Sequence, residues 1–260
     1  MSTRLSVVIP AYNEEKVIGS TISRVASYLE SVGESELIVV DDGSKDSTPQ
    51  VVKQMMLDHP CVRLVEAGKN GGKGRAVKLG VLSSRGEYVL YTDADLVYPI
   101  EGAEPFVATL ERGADVAIGC RSHPDTLFAL NPRHFSYIYQ RYLVGRAYIR
   151  TVNLLLGLGV QDTQCGFKAF RGDVARDLFS RTRACDFAFD VEVLYVARLL
   201  GHRIAELPVY FLYLGEQSSV ELIGDSLRML RDLLTIRRNG RKGVYATTHP
   251  EYPASITGRG

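Results

Sequence analysis

The chain lacks several features that would place it early. Its four cysteines, Cys61, Cys120, Cys165 and Cys185, are far apart and form no Cys-x-x-Cys pair, so neither a zinc site nor a disulfide framework is indicated. Reduced thiols in cytosol are expected. No apolar run is long enough to span a bilayer: Leu5 to Tyr12 is interrupted at once by Asn13-Glu14-Glu15, and Val152 to Val160 contains two glycines and an asparagine. Net charge is close to balance at +1, which removes any general pull toward nucleic acid or anionic membrane. Internal repeats are absent, and only the segment after Asn239, containing Gly, Pro and Thr, reads as a mobile tail.

What is present is an alternation. Leu5 to Pro10 reads as a continuous apolar strand, and Asn13-Glu14-Glu15 supplies a cap and acidic first turn for a helix reaching about Leu29. A strand over Leu37 to Val40 ends in Asp41-Asp42-Gly43-Ser44. A short helix follows at Thr48 to Leu57, then a strand at Val62 to Glu66, a glycine-rich loop from Gly68 to Gly74 and a helix from Arg75 to about Ser84. The strand beginning at Tyr88 runs into Asp93 and Asp95; a helix starts near Glu101, and Asp115 to Gly119 is another strand. Strand alternating with helix implies an α/β fold with a mostly parallel, doubly wound sheet, and ligands of such sheets bind beyond the carboxyl ends of the strands. Those ends carry Tyr12-Asn13-Glu14, Asp41-Asp42, Lys69 to Lys73, Asp93 with Asp95, and Arg121, which should converge on one crevice.

Three nucleotide sites compete for this pattern. A dinucleotide site needs G-x-G-x-x-G after the first strand, where Pro10-Ala11-Tyr12-Asn13-Glu14 stands instead. A P-loop needs a hydroxyl after its lysine, and Gly74 follows Lys73. A sugar-nucleotide site with a metal on Asp-x-Asp remains. On an extended backbone, side chains at i and i+2 leave on one face, so Asp93 and Asp95 can share one hard cation. A lone Asp-x-Asp is also compatible with a solvated turn.

At these residues a family resemblance enters. Val8-Ile9-Pro10-Ala11-Tyr12-Asn13-Glu14, Val40-Asp41-Asp42-Gly43-Ser44, Asn70-Gly71-Gly72-Lys73-Gly74 and Asp93-Ala94-Asp95 resemble the family-2 glycosyltransferases of GT-A fold. Asp162-Thr163-Gln164-Cys165-Gly166-Phe167-Lys168 and Phe187-Ala188-Phe189-Asp190-Val191-Glu192 resemble the dolichyl-phosphate glucosyltransferase branch and its polyprenyl-phosphate mannosyltransferase relatives. The resemblance covers about residues 4 to 240. It implies a catalytic domain over 1 to 215, with a nucleotide-binding half to residue 121 and an acceptor half from 122, then an amphipathic helix over 216 to 240 and a tail over 241 to 260.

By the same resemblance, Pro10, Ala11, Tyr12, Asn13, Glu14, Val40, Asp42, Lys73, Asp93 and Ala94 bind the nucleotide sugar. Asp93 and Asp95 hold Mg²⁺ or Mn²⁺ against the diphosphate, neutralising its charge. Asp162 orients the acceptor or acts as a base, unless it only starts an Asx turn. Arg121, Gln164 and Lys168 bind the acceptor, although Arg121 and Lys168 are equally explained as surface cations. Glu14 has helix capping as its plain alternative. The implied reaction is inverting hexose transfer, glucose favoured, from a UDP-sugar to a polyprenyl or dolichyl phosphate. GDP-mannose as donor, a soluble acceptor and an idle sugar-nucleotide-binding module are the alternatives.

The second half suits an interface. Along the expected helix from His134 to Leu156, Phe135, Tyr137, Tyr139, Tyr142 and Tyr148 alternate with Arg133, just before it, and Arg141, Arg146 and Arg150, a pattern fitting nucleic acid or a lipid headgroup layer. With net charge so low, no nucleic-acid partner is expected. Val220 to Arg238 is a second amphipathic helix, packed on its own domain or on membrane. Phe187 to Leu200 is expected to be a buried helix and Ile204 to Tyr213 a closing strand. Two departures stand out: Gly215-Glu216-Gln217-Ser218-Ser219 has no lysine where relatives carry one, and the N-terminal anchor of eukaryotic relatives is not seen. A cytoplasmic protein, peripheral at the cytoplasmic membrane face, is therefore expected.

Overall fold

The computed structural model describes the backbone of residues 3–130, 135–186, 188–213 and 224–247; within these, side chains 130–142, 213 and 224–228 are not described. The expected loop departure at Gly215 to Ser219 and most of the aromatic and arginine interleaving before Leu143 lie outside the described residues.

The first strand, β1 (Leu5–Ala11), is buried at every position but Pro10. A strand with no polar face must be covered on both sides, and that is a parallel sheet's requirement. The order of β3-β2-β1-β4-β7-β5-β8 meets it, with β2 (Ser35–Asp41), β3 (Val62–Glu66), β4 (Tyr88–Tyr91), β5 (Val116–Gly119), β7 (Lys168–Arg171) and β8 (Ile204–Leu207). β1 pairs in parallel with β2 and β4, whereas β7 runs antiparallel to both β4 and β5. A separate two-stranded parallel sheet joins β6 (Leu127–Leu130) to β9 (Tyr210–Tyr213).

Helices cover the two faces. Ile18, Ile22, Val25, Ala26 and Leu29 form the buried stripe of α1 (Ile18–Val32) at helical spacing. Burying one of its Ile, Val or Leu side chains stabilises by roughly 1.5–3 kcal/mol. On the other face, α3 (Lys73–Ser83) lies close to the sheet: a Cβ at Gly80 would overlap Val8 and stand 2.9 Å from Val40 Cγ2. The remaining helices are α2 (Thr48–Asp58), α4 (Ala103–Glu111), α5 (Phe135–Leu156), α6 (Gly172–Arg181), α7 (Phe189–Leu199) and α8 (Gly224–Arg241).

Four expectations change. The first helix starts at Ile18, with Val17 as a cap that makes no side-chain bond and no acid in its first turn. Asn13 is left-handed at φ 58 and binds the loop after β2 instead: its N–H donates to Ser44 Oγ at 2.9 Å and its Oδ1 accepts from the Lys45 amide at 2.8 Å. Residues 204 to 213 form two strands in two sheets, because Pro208 has no N–H to continue the ladder. β6, β7 and α6 were not anticipated. Finally, residues 241 to 247 are not a free tail: Tyr245 is buried, its hydroxyl donating to Glu192 Oε1 at 2.7 Å, and Arg181 donates to the carbonyls of Tyr245 and Ala246.

Candidate active site

The carboxyl ends of β1, β2, β4 and β5 do carry the expected polar residues. β4 ends at Tyr91, and the chain turns at Asp93 to Leu96, where the Leu96 amide donates to Asp93 O at 3.2 Å and Leu96 itself is left-handed at φ 46. The side chain of Asp95 is exposed and that of Asp93 is half-buried. Thr21 of α1 donates from Oγ1 to Ala94 O at 2.5 Å, pinning the turn from below.

Lys73, the first residue of α3, reaches across to Asp93, with Nζ 2.5 Å from Oδ1. Burial pulls its pKa down, but Asp93, Asp190 and Asp95 outweigh this and leave it above the ordinary lysine value, so the ammonium stays charged. The glycine loop that delivers Lys73 is held by Asp42, which accepts from the amides of Gly71 at 3.1 Å and Gly72 at 2.8 Å. Burial raises the Asp42 carboxyl, and these two donations only partly oppose it. Arg75 completes the clasp by donating to the carbonyls of Lys69 and Ala67. Asp42 is thus engaged by the glycine loop, some thirty residues on in the chain, while Val40 is buried and Tyr12 offers a partly exposed ring, 37% accessible. Glu14 sits in the latch between loops, its amide donating to Thr48 Oγ1 at 2.8 Å.

Asp162 is almost wholly buried, 6% exposed, and its carboxylate is saturated. Oδ2 accepts from Arg121 Nε at 2.7 Å and the Arg121 amide at 3.0 Å; Oδ1 accepts from Arg121 Nη2 at 2.9 Å and the Gln164 amide at 3.0 Å. The Asx turn and the ion pair therefore coexist. Burial pushes this carboxyl up, yet the Arg121 charge and hydrogen bonds prevail and hold it below the usual carboxylate value. Glu206 of β8 fixes the same segment by accepting from the amides of Gln161 and Asp162.

Lys168 corrects an expectation. As part of β7 it points inward, is 0% exposed, and its ammonium contacts the Asp190 carboxylate and donates to Cys165 O at 2.6 Å. Asp190 also accepts from Tyr91 OH at 2.5 Å. Lys168 is a core cation, not a surface one and not a group presented to an acceptor. Arg121 is shared between Asp162 and solvent, and Gln164 is half-buried.

Three contributors have no role in the sequence reading: Thr21, which it does not name, and Asp190 and Gly166, which it names only within motifs. A Cβ at Gly166 would fall on the Asp93 carboxylate, so the segment that starts at Asp162 packs its bare backbone against the β4 turn. An i+4 glycine after an aspartate carried no signal of that contact.

The oxygen-only pair Asp93 and Asp95 suits a hard cation. Among the described residues no group of three or more His, Cys, Asp or Glu is placed to hold a metal ion. Two carboxylates fit an ion that takes the rest of its shell from phosphate and water.

Residues 6–179 match the family model described as glycosyl transferase family 2. The chain belongs to glycosyl transferase family 2. Its relatives include the dolichyl-phosphate beta-glucosyltransferases of Homo sapiens, 36% identical over 93% of this chain and 77% of that protein, and of Saccharomyces cerevisiae, 33% identical over 93% and 76%. Among solved structures, Mycobacterium tuberculosis glucosyl-3-phosphoglycerate synthase in complex with phosphoglyceric acid aligns with a TM-score of 0.66 at 23% identity, covering 91% of this chain and 80% of that one. A complex of the same synthase with Mn²⁺, UDP and glucosyl-3-phosphoglycerate aligns at 0.61 and 23% identity, over 93% and 80%. This family-2 glycosyltransferase has the GT-A fold, a mostly parallel sheet flanked by helices. Among the described residues, no helix is long and apolar enough to cross a membrane.

Proposed function

We propose that this glycosyltransferase moves glucose from UDP-glucose to a polyprenyl or dolichyl phosphate with inversion at the anomeric carbon. The observation that carries the reading is the likeness, over more than nine-tenths of the chain, to relatives named dolichyl-phosphate beta-glucosyltransferase.

In this reading Pro10 to Glu14, with Val40, line the base and ribose, and the Tyr12 ring supplies a stacking face. Asp42 acts through the glycine loop, setting where Lys73 emerges. Asp93 and Asp95 hold Mg²⁺ or Mn²⁺, which when bound offsets the charge of the departing diphosphate. Lys73 adds a fixed positive charge beside them.

The acceptor monophosphate has a second pKa near ~6 and is largely dianionic at neutral pH, so positioning matters more than proton removal. Asp162 suits that division of labour. A carboxylate held ionised by four donations is a weak base, and its use is to fix Arg121, whose outer side remains available to a phosphate. Arg121 then orients the acceptor, while Asp162 and Gln164 hold the loop. The inner face of α8, Leu233 and Ile236, packs on the domain, while Leu230 and Leu234 of α8 and Leu143 and Val144 of α5 are exposed and serve in this reading as places for membrane contact.

The test is product identification by mass spectrometry after incubating purified protein with polyprenyl phosphate, Mn²⁺ and either UDP-glucose or GDP-mannose. Glucosyl lipid formed from UDP-glucose is expected. Mannosyl lipid alone would replace the donor, and transfer only to a soluble phosphorylated acid would replace the acceptor.

A further inference from the structure

Asp93 is held from two sides. Oδ1 carries the Lys73 ammonium at 2.5 Å, and the rest of the carboxylate lies against the backbone of Gly166, where even a Cβ would not fit. The group has little room to turn away, so a cation arriving at Asp93 must displace the ammonium. Opposite unit charges in contact at a partly screened site attract each other, and a cation that takes the place of the ammonium must overcome that attraction. A hydrated divalent ion by itself offers Lys73 nothing in exchange. A nucleoside diphosphate does, because its phosphate oxygens accept from an ammonium as readily as a carboxylate does.

Lys73 is built to make that exchange. It is the first residue of α3, follows Gly72 at φ 92, and has a four-carbon stem with a compact charged head. The base of its loop is clamped by Asp42 and Arg75, so the side chain moves while its Cα stays fixed.

We propose that Lys73 is a stand-in cation for Asp93 that makes the divalent ion and the nucleoside diphosphate bind as one unit: the ammonium leaves Asp93 for phosphate when both arrive and returns to Asp93 when both depart. This rests on the reading of Asp93 and Asp95 as the metal carboxylates. It assigns Lys73 a role in binding order besides contact with phosphate, and it lets the diphosphate product leave with its ion.

The experiment is Mn²⁺ binding to the full chain, read from the electron paramagnetic resonance signal of free Mn²⁺, with and without UDP, for wild type, Lys73→Met and Lys73→Arg. Thermal melts establish that each variant is folded. Wild type is expected to bind Mn²⁺ weakly alone and much more tightly with UDP. Lys73→Met is expected to bind Mn²⁺ alone on the order of two- to fivefold more tightly than wild type, the size of a partly exposed ion pair, and to lose most of the gain from UDP. Lys73→Arg, which keeps a cation on Asp93, should stay close to wild type. Equal Mn²⁺ affinity of wild type and Lys73→Met without UDP overturns the stand-in role while leaving the metal site intact. If wild type binds no Mn²⁺ even with UDP, the metal reading itself fails and the inference goes with it.

Discussion

Asp93 and Asp162 each face a cation, and the two pairs are built for opposite purposes. Asp93 is half-buried and meets Lys73 through a single oxygen, whereas Asp162 is buried and takes four donations, three of them from Arg121. A point charge on a flexible stem gives up its partner readily, but a planar fork locked by two parallel bonds and a backbone amide does not. The β4 turn is therefore the exchangeable side of the crevice, and the segment after Asp162 is the fixed side. Gly166 is where they touch.

The largest effect that would break this contrast is at the β4 turn. Asp95→Ala, or chelation of divalent ions, should lower kcat/KM by on the order of 10²–10³-fold with an unchanged melting profile. Activity that survives both would remove the exchangeable side altogether. Next comes Arg121→Met, which leaves the Asp162 carboxylate buried without its partner. A loss of about 2–3 kcal/mol in urea unfolding is expected, below the usual cost of breaking a buried pair because Arg121 is 39% exposed.

The pH dependence sharpens the same point. The Asp162 carboxyl is lowered in the fold, so its stabilisation is fully present above the ordinary carboxylate pKa of ~3.9 and disappears as pH falls through the lowered folded value. Arg121→Met should flatten that acid limb, measured by urea melts from neutral pH downward.

Gly166→Ala tests the contact between the sides. Its Cβ must push Asp93 or its own backbone aside, costing roughly 1–3 kcal/mol, and donor turnover should fall about tenfold. Gly80→Ala, equally crowded but on the sheet-facing side of α3, should cost similar stability and leave the activity of folded protein unchanged. Smallest of all, Lys53→Ala removes an exposed pair with Glu66 and should alter stability by less than about 1 kcal/mol with no change in turnover.

Strands buried on both faces were legible because their apolar runs are uninterrupted, as in Val7 to Ile9 and Leu37 to Val40. The convergence of polar strand ends followed from topology. β7 was not legible: Lys168 and Arg171 bound a four-residue strand, and the carboxylate that makes a buried lysine tolerable there, Asp190, is twenty-two residues away. The same distance hid the true partner of Lys168 and left it looking like a ligand for phosphate. The Asn13-Glu14-Glu15 run has the composition of a helix cap, but contacts with Ser44, Lys45 and Thr48 some thirty residues away override local preference. Asp162 was visible as a carboxylate, yet its saturation depends on Arg121, forty-one residues earlier.

The reversed strand β7 also has a bearing on how the chain assembles. Strands β3, β2, β1 and β4 all lie before residue 92 and can pair as they emerge from synthesis, leaving the outer edge of β4 open. β5 emerges soon afterwards but has no seat on that edge, because the place is kept for residues 168 to 171. Until that late strand is inserted the β4 edge has no partner, and an unpaired edge is a template for aggregation, so a ribosome stalled before Lys168 would carry four strands waiting for their keystone.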